Sequence, residues 1–280
     1  MTSAGKGPVR VAALGDLHFG KNSPGTFHPL FAQISERADI LMLCGDFTDY
    51  GTADEAKALA KDIASSLRIP VLAVLGNHDY HGGKAEEITA ILRDAGVVVL
   101  DGDSHELHGV GFAGVKGFGG GFGPRALGPW GEETFKRFVH EAVEEALKLE
   151  AALARLRTPS RLVLLHYAPV RETCEGEPLE IFPFLGSSRL EEPINRYKVS
   201  AVVHGHAHRG QPEGRTSTGV PVYNVCLPLL ARLTPEQPFR VLEVPTAESL
   251  AAAVPPDAGG SGRAPSPAAA GPAPTPVTAG

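Results

Sequence analysis

At 280 residues, with a formal net charge of −6 and 42% apolar residues, the chain can bury a sizeable core as one large domain or two small ones. Its acidic balance and scattered Lys/Arg pairs argue against a nucleic-acid surface, which needs a basic patch, and no apolar run approaches the ~20 residues of a membrane span. Cys44, Cys174 and Cys226 form neither a CxxC pair nor an even disulfide framework, so a reducing, cytoplasmic setting is expected.

Residues 1–7 are expected to be disordered. The first strand falls on VRVAALGD and ends at Gly15-Asp16, with His18 two residues on. A helix follows at about 28–37, then the apolar run DILMLCGD, ending at Gly45-Asp46. TADEAKALAKDIASS, opening at Thr52, reads as a helix with a capping box, Thr52 paired with Glu55. PVLAVLGN ends at Gly76-Asn77, followed by His78 and Asp79. Beyond a glycine-rich stretch at 117–131, a helix near 132–156 repeats apolar residues from Phe135 to Leu153 on one face toward the core. RLVLLHY reaches His166, and SAVVHGH reaches His204 and His206, with His208 beyond. Continuous apolar runs bounded by turn residues read as strands buried on both faces. The domain is expected to span 8–245. Residues 246–280 change character: 10 Ala, 7 Pro and 5 Gly fall within 251–280, a composition that cannot offset its ordering entropy and predicts a disordered tail.

Asp16, Asp46 and Asn77 are spaced about one βαβ unit apart. Right-handed crossovers bring the C-terminal ends of parallel strands to one edge, where open α/β folds bind ligands. There Asp16, His18, Asp46, Asn77, His78, Asp79, His166, His206 and His208 should converge. A carboxylate, imidazole and amide set without thiolate suits Mn, Fe or Zn, and is too rich in imidazole for Ca or Mg. Singly, each has a plainer role: an Asp after a strand caps a turn or helix, and a His in an apolar run is a hydrogen-bonded core residue. Five runs all ending in such residues is what departs from chance.

The series Asp-x-His (Asp16, His18), Gly-Asp-x-x-Asp (Gly45, Asp46, Asp49), Gly-Asn-His-Asp (Gly76 to Asp79), His166 and Gly-His-x-His (Gly205 to His208) resembles the calcineurin-like metallophosphoesterases, in order, from residue 16 to 208. The resemblance implies an α/β fold: a four-layer αββα sandwich of two mixed β-sheets flanked by helices, with a dimetal site at the strand C-terminal ends. It implies one metal on Asp16, His18, Asp46 and His208 and another on Asp46, Asn77, His166 and His206, with Asp46 bridging. The ions would be Mn, Fe or Zn, Mn favoured, and a hydroxide shared between them would attack phosphorus. His78 would serve the leaving-group oxygen, oriented by Asp79. Asp49 would support a ligand or cap a turn, and His204, before Gly205 and still in the strand, would be a buried neighbour of the ligands.

In the protein serine/threonine phosphatases of this superfamily an Arg follows the second block, and Gly-Asn-His ends in Glu. Here Tyr50 and Asp79 stand at those positions, which is similar to the bacterial cyclic-nucleotide phosphodiesterase-like branch. The implied activity is phosphodiester hydrolysis on a small-molecule phosphoester. Alternatives are a phosphomonoesterase on nucleotides or small phosphorylated metabolites, and a non-catalytic metal-binding scaffold. Arg125 and Trp130, in the glycine-rich stretch, belong either to a lid over the substrate or to a plain connection. His81 either lines the pocket or sits on the surface, and the segment after His166, with Arg171, Cys174 and Glu177, starts beside the metals. Oligomeric state has no signature in the sequence.

Overall fold

The first three apolar runs form parallel strands β1 (Val9–Leu14), β2 (Ile40–Cys44) and β3 (Val71–Val74), joined by helices α1 (His28–Arg37) and α2 (Ala53–Ser66), in a computed structural model that describes residues 7–252. The capping box forms: Glu55 N donates to Thr52 Oγ1 at 3.3 Å, and Thr52 N to Glu55 Oε2 at 3.1 Å. Helices α3 (Asn77–His81) and α4 (Ala85–Asp94) lead to β4 (Val97–Val99). The hairpin β5 (Asp103–Leu107) and β6 (Val110–Gly114) opens a second sheet, and α5 (Glu133–Arg155) crosses over to β7 (Ser160–Leu164). Helices α6 (Phe182–Leu185) and α7 (Glu191–Arg196) precede β8 (Ala201–His204); β9 (Glu213–Arg215), β10 (Pro221–Asn224), α8 (Leu227–Leu233), β11 (Arg240–Val244) and α9 (Ala247–Ala252) follow.

One sheet has the order β11-β1-β2-β3-β4 and the other β5-β6-β7-β8-β10-β9. Both are mixed: β11 runs antiparallel to β1, β5 to β6 and β9 to β10, and the other pairs are parallel. Alternation along each strand sorts its side chains between layers. Leu14, Leu41 and Ala73 pack against Phe31, Leu59 and Leu92 of the outer helices. Their neighbours Ala13, Met42 and Leu72 meet Phe112, Leu162 and Val203 of the second sheet. On the far side Val163 and Val202 pack against Leu149 and Leu153 of α5. Four layers, αββα, result, and two sheets packed face to face bring strand ends from both to one edge.

The segment expected to be disordered from residue 246 instead begins with α9. Thr246 and Ser249 exchange hydrogen bonds, Thr246 N to Ser249 Oγ at 2.7 Å and Ser249 N to Thr246 Oγ1 at 3.1 Å, which caps the helix. The rest of the expected tail, 253–280, and residues 1–6 lie outside the described residues. Among the described residues no helix is long and apolar enough to cross a membrane.

Candidate active site

Asp16, Asp46 and Asn77 follow β1, β2 and β3 of one sheet; His166, His206 and His208 follow β7 and β8 of the other. The turns that aim these side chains are strained. Asp16 (φ 59°), His18 (φ 42°), Asp46 (φ 50°) and His206 (φ 70°) lie in the left-handed region, at a cost of about 1–3 kcal/mol each that the surrounding fold must hold. The glycines before the ligand-type residues let the turns stack. A Cβ on Gly76 would overlap the Asp46 carboxylate, and one on Gly205 the Asp16 carboxylate. Gly205→Ala is accordingly expected to destabilise the fold by about 1–3 kcal/mol and to displace Asp16, seen as a lower denaturation midpoint and weaker metal retention. A variant of wild-type stability and metal content would show that the turn does not need the glycine.

Asp16 is buried. It accepts from His206 N at 2.9 and 3.1 Å, and its Oδ1 lies 3.1 Å from His208 Nε2. Burial pushes its carboxyl up to about 6, and the pairing with Asp16 raises His208. Asp46 Oδ1 accepts from His78 N at 2.8 Å and lies 3.4 Å from His166 Nε2, while its Oδ2 lies 3.8 Å from His18 Nε2. His166 Nδ1 donates to the Cys44 carbonyl at 2.9 Å, which leaves Nε2 facing Asn77 Oδ1 at 2.9 Å. His206 Nε2 donates to the Phe184 carbonyl at 3.1 Å and leaves Nδ1 as its free nitrogen. Burial pushes both rings down to about 3, so they are neutral bases at pH 7.

These atoms form three overlapping groups with ligand atoms within 4.8 Å of one another: Asp16, His18 and His208; His18, Asp46 and His78; Asp46, His166 and His206. Asp46 belongs to two of them. His18 Nε2 is buried with no hydrogen-bond partner. Lone pairs on neutral His166 and His206 beside the Asp46 carboxylate, with the orphaned His18 nitrogen close by, form a donor set that a cation would satisfy. A ring N–H on a backbone carbonyl is also how metal-binding histidines are held. The residues present therefore fit two metal ions, and Asn77, through its amide oxygen beside His166, fits the second group.

His204 lies outside these groups. Fully buried, it contacts Gly205 O at 2.7 Å and Thr173 Oγ1 at 2.8 Å, tying β8 to the segment that covers the site. The His78 ring lies edge-on to that of His18, centroids 4.5 Å apart. The expectation that Asp79 orients His78 is corrected: His78 Nδ1 donates to the Asp49 backbone carbonyl at 2.7 Å. Asp79, one residue further around α3, points into the interior. Its carboxylate accepts from Gly76 N (2.9 Å), Thr48 N (2.9 Å), Thr48 Oγ1 (2.8 Å) and Phe47 N (3.3 Å), bolting the turn after β2 to that after β3. Asp49 reaches two histidines, its carbonyl accepting from His78 and its carboxylate lying 3.6 Å from His18 Nδ1.

A cavity of about 310 Å³ opens over Asp46, Asn77, His78, His206 and His208, and is otherwise lined by Glu177, Ile181, Leu185 and Arg209. His81, Arg125 and Trp130 are not in that lining. His81 is exposed and its ring stacks toward His78 at 6.5 Å; Trp130 is 75% exposed. The glycine-rich stretch is fastened to the segment beside the cavity, Gly120 N to Pro183 O at 2.6 Å and Gly121 N to Gly186 O at 2.8 Å. Sequence reasoning missed Arg209, Ile181 and Leu185. Only Arg209 carried a signal, its place directly after His208. Cys174 is buried, its thiol pushed up to about 12 by burial, which removes it as an exposed redox group.

Among known proteins, the family model described as calcineurin-like phosphoesterase matches residues 9–210. The Arcobacter nitrofigilis protein named "Probable glycerophosphodiester phosphodiesterase GpdQ" is 24% identical over 189 residues, 63% of this chain, and the chain spans 59% of that relative's length. Among solved structures, the phosphopantetheinyl hydrolase PptH from Mycobacterium tuberculosis superposes with a TM-score of 0.62 at 18% identity, over 85% of this chain and 96% of that one. TT1561 of Thermus thermophilus gives 0.53 at 12% identity, over 84% and 99%. At such identities the two structures share the fold.

Proposed function

Because the chain belongs to the calcineurin-like phosphoesterase family, we propose that it is a dimetal hydrolase of small-molecule phosphodiesters. The observation that carries this is the sharing of Asp46 between the ligand groups on its two sides, with His78 beside it at the cavity. Asp16, His18, Asp46 and His208 would hold one ion and Asp46, Asn77, His166 and His206 the other, Mn in preference to Fe or Zn. Two such ions polarise phosphoryl oxygens and supply hydroxide at neutral pH. Ring donation to Phe184 O presents His206 through Nδ1, and donation to Cys44 O presents His166 through Nε2. His78, locked on the Asp49 carbonyl, has Nε2 to protonate the departing alkoxide. Arg209, the one Arg or Lys in the cavity lining, takes a non-bridging phosphate oxygen. A monoester brings a second negative charge toward Glu177 and the apolar Ile181 and Leu185, whereas a diester brings one. That balance favours the diester.

After chelation and readdition of Mn, bis(p-nitrophenyl) phosphate is expected to turn over at least about tenfold faster than p-nitrophenyl phosphate. No turnover with any divalent metal would overturn the enzyme assignment, and preference for the monoester would reverse the substrate assignment. His78→Ala is expected to lower kcat about 10²-fold on a dialkyl phosphate, and far less on a nitrophenyl ester, whose oxyanion leaves without a proton. Equal losses on both would remove His78 from the proton-donor role.

A further inference from the structure

One wall of the cavity is apolar, and the segment that forms it carries further exposed apolar side chains. Ile181 and Leu185 line the cavity; Ile181 is 38% exposed, and along the same segment Leu179 is 66% and Phe184 58% exposed. The backbone that carries them is held at several points. The Phe184 carbonyl accepts from His206 Nε2 at 3.1 Å, the Pro183 carbonyl from Gly120 N at 2.6 Å and the Leu185 carbonyl from Ala168 N at 3.0 Å. The Arg171 guanidinium lies 5.1 Å over the Phe182 ring, and the Phe184 ring meets Phe138 edge-on with centroids 6.0 Å apart. The apolar side chains are thus presented on a fixed scaffold that touches a metal-ligand candidate directly, two of them in the cavity and two exposed beside it in the same segment. Apolar surface held in this way beside a reaction centre gains only when a ligand covers it.

We propose that the substrate is a phosphodiester with one apolar alcohol arm. The phosphate sits over Asp46 beside Arg209, the arm that is kept lies along Ile181 and Leu185 and out onto Leu179 and Phe184, and the other alcohol leaves toward His78. This rests on the phosphoesterase assignment. The test is a series of alkyl p-nitrophenyl phosphates, methyl through hexyl, with the Mn-loaded full chain. kcat/KM is expected to rise with alkyl length, by up to about fourfold per methylene covered. In a Leu179→Ser/Phe184→Ser double variant, altered only at exposed positions, the hexyl-to-methyl ratio is expected to fall about tenfold. Turnover that is flat across the series overturns the apolar arm and leaves the phosphoesterase intact. A rise that the double variant does not reduce puts the arm elsewhere and overturns the placement. No turnover of any member removes the phosphoesterase assignment and this proposal with it.

Discussion

Asp46→Ala is expected to lower kcat/KM by about 10³-fold or more and to leave at most one metal per chain. Asp46 is 1% exposed, and its two oxygens reach different partners, Oδ1 toward His166 and Oδ2 toward His18. It is the carboxylate shared by the ligand groups on its two sides, so under the proposed assignment its loss would take a ligand from each ion and the negative charge between them. A metal pair supplies several kcal/mol of transition-state charge stabilisation, and each 1.36 kcal/mol is a factor of ten in rate. Asp46→Asn keeps an oxygen for the His78 N–H but removes the negative charge, and should retain more fold stability than Asp46→Ala with nearly as little activity. Metal analysis of the dialysed proteins decides the matter: two ions per chain in Asp46→Ala would show that Asp46 is not the bridge.

Asp79→Ala is expected to be the most destabilising single change near the site, by about 3–4 kcal/mol, lowering the melting temperature by roughly 10 °C. Removing the carboxylate strands four donors, from Gly76, Phe47 and Thr48, where no water reaches the side chain. Each buried unsatisfied donor costs about 1–3 kcal/mol, less whatever water enters the space left behind. Burial and the nearby Asp46 push the Asp79 carboxyl up to about 6 while those donors pull it down, and the four donors favour the ionised form, which holds the two turns by charge-assisted bonds. Activity should fall with stability, since Asp46 and His78 ride on the turns it joins. Had Asp79 oriented the His78 ring, the same variant would lose kcat with its melting temperature nearly unchanged. That outcome would restore the sequence expectation.

Much of the fold was legible because burial on both faces leaves few other readings for a short apolar run. VRVAAL, ILMLC and VLAV are strands with their helices between them, and the alternation that splits Ala13 from Leu14 follows from the period of two. The second sheet was less legible. DSHEL in β5 is polar because it forms an edge with exposed and half-buried positions, and β6 carries Gly111 and Gly114, residues that dilute a strand pattern. The tail was misread at 247–252 because composition averages over its length, whereas a cap such as Thr246 with Ser249 is a matter of single positions.

The residue pattern alone carried the α/β reading, the five strand ends and the residue types that meet there, since an apolar run closed by Gly and a ligand-type residue follows local rules; the two-sheet sandwich came from the family resemblance. Direction and partner depended on packing. Asp79 looked like a support for His78 because the two are adjacent in the chain, yet neighbours on a helix diverge by about 100°, and a carbonyl from Asp49 does that work. Which nitrogen of His166 or His206 remains free depends on carbonyls from Cys44 and Phe184, distant in sequence. The apolar wall at Ile181 and Leu185 belongs to the site only because the two sheets bring the segment after β7 over the ends of β2 and β3. Adjacency in the chain sets what a turn contains; packing between layers sets what each side chain meets.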